Sequence, residues 1–425
     1  MSKLDDLIQE YCPDGVEYKP LWSLTAWDKR FNAVSRKKQA VVFDYHYYLA
    51  KELKELIRMD GDVKILTTNT TDFFTDESLV EENVVNREVI AIPWGGNPNV
   101  QYYNGKFITA DNRIATSLNP KILDNKFLYY YMQNKLDEIG SFYRGSGIKH
   151  PNMAKVLDFQ VPLPALPVQR EIVRILDEFT MLSAELSAEL AARKKQYEYY
   201  RDELLNKSGI EEINEVSIGD CVSNTGNIKW NISEDNKNYQ YIDLSSVDRG
   251  TCLITETSTI NKASHPSRAQ QIIKTNDVLF GTTRPMLKRL CIITEKYNNQ
   301  ICSTGFCVLR ANNRIIPRFL YYVISSDKFY KYVENNQQGA SYPSISNALI
   351  KNYRFKLPSL KTQDRLVKVL DNFDSICSDL NIGLPAEIEA RQQQYEFYRD
   401  QLLTFAENGN TIVTDHGSRI TDQSN

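Results

Sequence analysis

The side chains best suited to chemistry in this chain are polar and basic residues in loops that contain glycine. Arg can donate two hydrogen bonds to guanine, and Asn or Gln can pair in the same way with adenine, so such loops can read nucleic-acid base edges. The candidates in the first part of the chain are Trp94, Gly95, Gly96, Asn97, Arg113, Tyr143, Arg144, Lys149 and His150. The candidates in the second part are Thr282, Thr283, Arg284, Lys288, Arg289, Gln337, Gln338, Ser341 and Tyr342. The structural alternative is that Gly-Gly-Asn forms a plain turn and that Arg284, which precedes Pro285, only shapes its loop.

The distribution of charge adds to this picture, although the net charge of −3 does not by itself indicate a polyanionic partner. Residues 207–358 contain 19 Lys and Arg against 13 Asp and Glu, a net charge of +6. A basic block of this kind favours a polyanion as partner, but a charged face can also be merely solvated.

Motifs for catalysis are missing from the sequence. It has no Asn-Pro-Pro-aromatic or Asp-Pro-Pro-aromatic string for methylation of a base amino group, no cofactor-type GxGxxG and no Walker lysine loop. The seven cysteines form no CxxC pair and the four histidines are scattered, so we expect reduced thiols and no metal site. No apolar run approaches the length of a membrane span, and the first residues contain no signal-peptide core. We therefore expect a cytoplasmic, non-catalytic protein without a cofactor of its own.

The chain contains a long internal repeat. QYEYYRDELL at 196–205 returns as QYEFYRDQLL at 394–403 with eight of ten positions identical, and VRILDEF at 173–179 returns as VKVLDNF at 367–373. The offset is far longer than the ~20–50 residues of a solenoid repeat. The pattern therefore indicates a duplicated half-molecule.

Each copy of the repeat predicts a long amphipathic helix. Residues 168–206 contain no Gly or Pro, and their apolar residues recur at steps of three, four or seven, which predicts one helix of about 55–60 Å. A tandem SAEL-SAEL occupies 183–190, and the second helix is expected to be interrupted near Gly383–Glu387. The stripe residues expected to form helix or subunit interfaces are Ile172, Leu176, Phe179, Leu186, Tyr197, Tyr200, Leu204, Leu370, Phe373, Tyr395, Tyr398 and Leu402. The alternative for the tyrosines is a platform on which bases stack.

These patterns predict an α+β protein in which two α/β domains are separated by two long antiparallel, coiled-coil-like helices in a pseudo-twofold internal repeat. The expected divisions are 1–160 for the first domain with a short N-terminal helix, 161–206 for the central helix, 207–358 for the second domain, 359–404 for the C-terminal helix and 405–425 for a polar, disordered tail.

The segments QREIVRILDEF…KKQYEYYRDELL and QDRLVKVLDNF…QYEFYRDQLL, with the opening LDDLIQEYCPDGVEYKPL, resemble the specificity subunits of type I restriction-modification enzymes. The resemblance covers nearly the whole chain. It implies that each α/β block is a target-recognition domain that reads one half of a split DNA sequence, with polar or basic loop residues at the base edges. It also implies that the helices fix the spacing of the halves, and that the SAEL tandem corresponds to repeats whose number sets the spacer in some members.

The same resemblance implies the partners. Two modification subunits would bind the helices, carry S-adenosylmethionine and methylate adenine, and restriction subunits using ATP and Mg would translocate and cleave DNA. Two rival interpretations remain open at this point. One is a coiled-coil protein-protein scaffold without DNA readout, and the other is a self-contained methyltransferase with an atypical motif.

Overall fold

The protein, seen in a computed structural model that describes residues 3–206, 214–233, 237–378 and 383–404, divides into two compact units. Unit 1 comprises Met1–Ala184 and Ala390–Asn425, and unit 2 comprises Glu185–Glu389. Each unit therefore takes helical segments from both copies of the repeat. The tail expected at 405–425 lies outside the described residues.

Unit 1 is built on a mixed sheet. Its helices are α1 (Lys3–Tyr11), α2 (Leu21–Leu24), α3 (Ala50–Leu56), α4 (Asn125–Asn134), α5 (Leu136–Ser141), α6 (Met153–Asp158) and the first part of α7 (Leu166–Asn206). Its strands are β1 (Tyr18–Pro20), β2 (Thr25–Trp27), β3 (Val63–Leu66), β4 (Phe74–Thr75), β5 (Val85–Pro93), β6 (Gln101–Thr109), β7 (Asn112–Ser117), β8 (Tyr143–Arg144), β9 (His150–Pro151) and β10 (Gln160–Pro162). Six strands form one sheet in the order β2-β7-β5-β6-β3-β4, in which only β3 and β6 pair in parallel.

The sheet of unit 1 is covered on both faces along its central strands. All six residues of β7 are buried, as are the last five of β5, which is the pattern of strands packed on both faces. The main core joins these strands to α1, α4, α6 and the start of α7, and it includes Leu403 from the C-terminal helix. Burial of this apolar surface, at ~25 cal/mol per Å², is the main force holding the unit together.

Unit 2 also combines helices with strands, but its strands are shorter and are divided between two larger sheets. Its strands are β11 (Asn214–Ser217), β12 (Val222–Ser223), β13 (Tyr239–Ile242), β14 (Ser258–Ile260), β15 (Ala269–Ile272), β16 (Val278–Gly281), β17 (Leu290–Ile292), β18 (Ile301–Ser303), β19 (Phe306–Ala311) and β20 (Arg354–Leu357). Its helices are the second part of α7, then α8 (Pro317–Ser325), α9 (Asp327–Asn336), α10 (Asn347–Asn352), α11 (Leu360–Ser378) and the beginning of α12 (Leu384–Leu403). The strands form two four-stranded sheets, β12-β19-β16-β17 and β14-β13-β18-β15, and a β11-β20 pair.

The second copy of the repeat is divided between two helices. Residues 379–382 lie outside the described part of the chain, and α12 begins at Leu384. Pro385 stands in the first turn of α12, where the missing N–H costs no helical hydrogen bond. In the part of the chain that the structure describes, no helix is long and apolar enough to cross a membrane.

A buried glutamine near the start of each long helix makes the same set of hydrogen bonds in both units. Gln169 accepts a hydrogen bond from the Asp124 N–H at 2.9 Å, and its amide donates to the carbonyl oxygens of Ile122 and Pro164 at 2.8 and 2.7 Å. In unit 2, Gln363 accepts from the Ile316 N–H at 2.8 Å and donates to the carbonyls of Arg314 and Pro358 at 3.0 and 2.9 Å. Both glutamines are fully buried. Each one therefore ties the start of its long helix to the loop that precedes α4 or α8.

An aspartate in each long helix makes a second repeated contact. Asp177 accepts hydrogen bonds from Lys126 at 2.7 Å and from Tyr130 at 2.6 Å, both on α4. The matching Asp371 on α11 accepts from Arg318 at 2.7 Å and from the Tyr322 hydroxyl, both on α8. The duplication is thus present at the level of individual hydrogen bonds.

We predict that Gln169→Leu and Gln363→Leu each lower the free energy of unfolding by about 2–4 kcal/mol, because leucine fills the space and leaves buried backbone groups without partners. Urea unfolding followed by circular dichroism measures the change. The control is Gln392→Leu. Gln392 is exposed, and among the described residues its amide bonds only Glu396 on the same helix, so its loss costs at most about 0.5 kcal/mol. Equal stability of all three variants would contradict the prediction.

Candidate nucleic-acid interface

In unit 1 a loop at the end of a strand and a two-stranded hairpin form one continuous surface. The loop is residues 94–97, which follow β5, and the hairpin is β8–β9 with its turn at residues 145–149. The Gly96 N–H donates to the Lys149 carbonyl at 3.0 Å, and His150 Nδ1 lies 2.7 Å from the Trp94 carbonyl oxygen, so this ring nitrogen carries the proton. The Tyr143 hydroxyl donates to the Pro93 carbonyl at 3.0 Å. The loop and the hairpin are therefore held together chiefly by backbone carbonyls.

Glycine is required at two positions of this surface. Gly145 has a φ of +144°, and a Cβ there would lie 2.5 Å from the Ile148 carbonyl oxygen. Gly96 has a φ of +110°, a conformation that other residues rarely adopt. Gly145 therefore allows the tight turn of the hairpin, and Gly96 allows the backbone conformation of the loop.

Unit 2 contains the same arrangement with different side chains. The loop is residues 282–285, which follow β16, and the hairpin is residues 338–344, closed by paired backbone bonds of 2.8 Å between Gln338 and Ser344. The Arg284 N–H donates to the Pro343 carbonyl at 2.7 Å, as Gly96 does to Lys149 in unit 1. Arg284 has a φ of +47° and Gly339 has a φ of +96°, so both positive-φ positions recur. The frame is the same even though almost none of its side chains are.

The two hairpins carry a hydrophobic residue at the same place. Ile148 is 69% exposed and Tyr342 is 71% exposed, and each stands immediately before the residue whose carbonyl receives the bond from the loop. The guanidinium carbon of Arg284 lies 4.3 Å from the ring centroid of Tyr342, a cation–π contact that orients the arginine at the surface.

The structure brings the predicted loop residues together but does not expose them all. The exposed ones are Asn97, Arg144, Lys149, His150, Arg284, Lys288, Gln338, Ser341 and Tyr342. The half-buried ones are Trp94, Gly95, Gly96, Thr283, Arg289 and Gln337. The buried ones are Arg113, Tyr143 and Thr282, and these three support the surface from beneath.

Arg113 was expected in a DNA-facing loop, and the structure places it in the core instead. It lies in β7 with its side chain fully buried and ion-paired to the equally buried Asp28 at 2.8 Å and to Asp111. Its guanidinium carbon lies 5.0 Å from the Tyr47 ring centroid and 4.8 Å from that of Trp94. Arg113 therefore holds Trp94 in place and has no surface left for a base.

The electrostatics of this buried group follow from its isolation from water. Burial raises the pKa of Asp28, although the Arg113 guanidinium and hydrogen bonds from Tyr47 and the Ile114 N–H act in the opposite direction. Burial also raises the pKa of Tyr47, and the neighbouring Asp28 carboxylate raises it further. The tyrosine hydroxyl accordingly stays protonated and donates to Asp28.

Thr282 and Tyr143 are likewise internal. The Thr282 hydroxyl donates to the Gly305 carbonyl at 2.8 Å, and the Thr282 carbonyl accepts from the Ile345 N–H at 3.0 Å. Both residues fasten the hairpin to the sheet, so their polar groups are already used.

The predicted interface residues of the long helices fall into three groups. The buried ones are Ile172, Leu176 and Leu370, which belong to the cores of the units. The half-buried ones are Phe179, Leu186, Tyr197, Leu204, Phe373, Tyr395, Tyr398 and Leu402, and Tyr200 is exposed. Leu402 and Tyr395 pack on the core of unit 1, whereas Tyr197 and Leu204 pack on the core of unit 2.

An aromatic stack joins the two copies of the repeat inside each unit. In unit 1, Phe179 stacks on Tyr398 with ring centroids 5.4 Å apart, and in unit 2, Phe373 stacks on Tyr200 at 6.1 Å. Phe179 and Phe373 are equivalent in the repeat, as are Tyr200 and Tyr398. These tyrosines are therefore engaged in packing between helical segments, which weighs against a free stacking platform.

Two features of the surface escaped the sequence reasoning. Ile148 could have been found by aligning the two hairpins on Gly145 and Gly339. Lys29 lies with its amino nitrogen 5.7 Å from the Trp94 ring centroid, and its signal was a run of basic residues after β2.

Comparison with known proteins gives a consistent answer. A family model described as the type I restriction modification DNA specificity domain matches residues 42–193 and again 197–390. The specificity subunit of the type I restriction enzyme EcoR124I/EcoR124II from Escherichia coli is 30% identical over 303 residues, covering 66% of this chain and 72% of the relative. A putative type I restriction enzyme specificity subunit from Haemophilus influenzae is 27% identical over 378 residues, covering 84% and 91%.

The fold has a match among solved structures. The crystal structure of the type I restriction-modification system S subunit from M. genitalium aligns with a TM-score of 0.50, covering 92% of this chain and 96% of the other at 15% identity. At 15% sequence identity this structural similarity shows the fold alone. Taken with the two family-model matches, which together span most of the chain, it confirms the resemblance seen in the repeated helices: this chain belongs to the family of type I restriction modification DNA specificity domains.

Proposed function

We propose that this chain is the DNA sequence-specificity subunit of a type I restriction-modification complex and reads a target in two halves, one with each unit. The observation that carries the proposal is the repeated frame, in which a strand-end loop and a hairpin share the same backbone bonds and present different exposed side chains. A fixed frame with variable side chains is what two readers of unlike half-sites require. The alternative of a protein-protein scaffold without DNA readout is not favoured by the family.

The exposed side chains of each frame are the proposed readers. Arg144, Lys149, His150 and Asn97 would face DNA from unit 1. Arg284, Gln338, Ser341 and Tyr342 would do so from unit 2. Arg284 is the strongest candidate for a guanine, because its stacking on Tyr342 and its fixed backbone reduce the entropy lost when it binds. Lys288 follows the loop and would contact phosphate.

The long helices would set the distance between the half-sites. We propose a pseudo-twofold repeat with antiparallel, coiled-coil-like helices, supported by the matching Phe–Tyr stacks and glutamine hydrogen bonds in the two units. The domain divisions at about residues 160, 206, 358 and 404 belong to this proposal. The SAEL tandem lies within α7, where adding or removing four residues changes the length of the helix by about 6 Å.

The partners would be two modification subunits and the restriction subunits. Tyr199 on α7 and Phe397 on α12 occupy the same position of the repeat and are 62% and 58% exposed, so each offers an aromatic anchor for a modification subunit. Catalysis, S-adenosylmethionine, ATP and Mg would belong to these partners, and the complex would act in the cytoplasm, where it meets DNA.

Replacing Arg284 by Ala should relax one base pair of the half-site read by unit 2 and leave the other half-site unchanged. A bidentate contact discriminates by about 1–3 kcal/mol, which is roughly 5- to 150-fold. Sequencing that maps methylated adenine in cells carrying the chain and its modification subunits measures this. The control is Arg314→Ala, because Arg314 follows the end of β19 opposite the loop. An unchanged motif, or one altered in both halves, would count against the assignment.

Deleting residues 183–186, one SAEL unit, should change the length of the unread spacer by about one to two base pairs, since about 6 Å is lost from the helix. Both half-sites should keep their bases. The same methylation mapping shows the outcome, and altered half-site bases with an unaltered spacer would refute the role of the helix as a ruler.

Tyr199→Ala and Phe397→Ala should each weaken binding of one of the two modification subunits and leave the free energy of unfolding within about 0.5 kcal/mol, because both side chains are exposed. Native mass spectrometry of the assembled complex counts the subunits. The control is Tyr342→Ala, an equally exposed aromatic on the hairpin, which should assemble normally. Complexes of normal composition with both helix variants would rule out these anchors.

A further inference from the structure

A basic loop beside the surface of unit 1 has no role in the function proposed so far. It consists of residues 28–41, between β2 and the point where the chain rejoins the sheet, and we name it the basic loop. Its sequence, DKRFNAVSRKKQAV, holds five Lys and Arg, and its only carboxylate is Asp28, which is buried with Arg113. The loop therefore has a net charge of +4 in a chain whose net charge is −3.

The basic loop is an ordered part of unit 1. Its ends meet, because Trp27 pairs with Val42 and the Phe43 N–H donates to the Trp27 carbonyl at 2.9 Å. Inside it, the buried Gln39 accepts from the Phe31 N–H at 2.8 Å and donates to the Lys29 carbonyl at 2.9 Å. A closed loop packed around its own side chains has the form of an Ω-loop, a class that is frequently functional.

Most of the basic side chains of the basic loop are exposed, whereas its one aromatic side chain is buried. Phe31 is buried against Trp27, with ring centroids 6.2 Å apart, and Lys38 pairs with Asp158 at 2.5 Å. The side chains of Lys29, Arg30, Arg36 and Lys37 are exposed, and none of these four forms an ion pair within the part of the chain that the structure describes. Four like charges on one rigid loop repel one another, and a polyanion relieves that repulsion.

The topology of the sheet places the basic loop next to the candidate interface of unit 1. Strands β2 and β5 flank β7 and both run antiparallel to it, so both leave the sheet at the edge where β7 begins. The basic loop follows β2 there, and the loop at residues 94–97 follows β5. The Lys29 amino nitrogen lies 5.6 Å from the Tyr47 ring centroid and 5.7 Å from that of Trp94. The positive charge is therefore continuous with the proposed reading surface.

We propose that the basic loop binds the phosphate backbone of DNA that flanks the half-site read by unit 1. The inference rests on the proposed function and adds to it a sequence-independent source of affinity, with Arg30, Arg36 and Lys37 as the contacts. They belong to a loop that adjoins this surface at Lys29 and not to the hairpin itself, so we assign them to phosphates and leave the base edges to the hairpin. The segment between β12 and β13 in unit 2, residues 224–238, holds two Lys against one Glu and one Asp, so its net charge is zero and the proposed contribution comes from unit 1.

The test exploits the release of counterions. Each phosphate contact contributes about 0.9 to the slope of log affinity against log salt concentration. The complex of the full chain with its modification subunits is titrated with a random-sequence duplex of about 40 base pairs between about 50 and 200 mM salt. The variant Arg36→Ala with Lys37→Ala should lower the slope by about 1.8 and weaken binding at least roughly tenfold. Its methylated motif should stay the same.

Two further variants separate charge from other effects. The double variant Lys121→Ala with Arg170→Ala also removes one lysine and one arginine. Both residues are exposed and lie next to Ile122 and Gln169, at the opposite end of β7. This variant should leave the slope unchanged. Arg36→Lys with Lys37→Arg keeps both charges and should keep the wild-type slope.

Several results would overturn the proposal. The first is a slope of log affinity against log salt concentration that is the same for the Arg36→Ala, Lys37→Ala variant as for wild type. The second is a changed methylation motif in this variant. The third is loss of the modification subunits from this variant, which would make the basic loop a protein-binding surface. Failure of the wild-type complex to bind duplex DNA would overturn the proposed function itself and this inference with it.

Discussion

The proposed reading surface depends on one backbone hydrogen bond, which joins a strand-end loop to a hairpin in each unit. Gly96 N–H to the Lys149 carbonyl forms it in unit 1, and Arg284 N–H to the Pro343 carbonyl forms it in unit 2. Because the bond uses only main-chain atoms, the side chains around it can change without loss of the frame. On our proposal, the frame and the base-reading side chains are thus separate, so two units with the same backbone frame can carry unlike residues and read unlike sequences.

Side chains are conserved between the two copies where the long helix of each unit packs on the rest of the unit. Gln169 and Gln363 are buried with every polar group bonded to backbone. Asp177 and Asp371 each accept from one basic side chain and one tyrosine, on α4 and on α8 respectively. A buried amide with three bonds cannot be replaced without leaving unpaired groups, so these positions keep their identity across the duplication. The helices are therefore the invariant part and the loops the variable part.

The sequence predicted the helices and the family well, because both depend on apolar periodicity and on an internal repeat, which are visible in the residues themselves. It selected the loops and hairpins that the structure joins, but it did not predict their connection. The hairpins GSGIK and GASYP share only their first glycine, and hydrogen bonds between main-chain atoms require no particular side chain. It misjudged Arg113 because Asp28, its partner, lies 85 residues away in the chain. It overlooked the basic loop because the sequence does not reveal that this run of charges lies next to Trp94 on the proposed surface.

The most direct test of the account is photo-crosslinking from the two hairpin tips to a duplex that carries the methylated bipartite target. A photoreactive residue replaces Ile148 in one variant and Tyr342 in the other, both exposed positions that no core uses. The account predicts that position 148 crosslinks to one half-site only and position 342 to the other half-site only. Crosslinks from both positions to the same half-site, or none at all from complexes that bind the duplex, would contradict it.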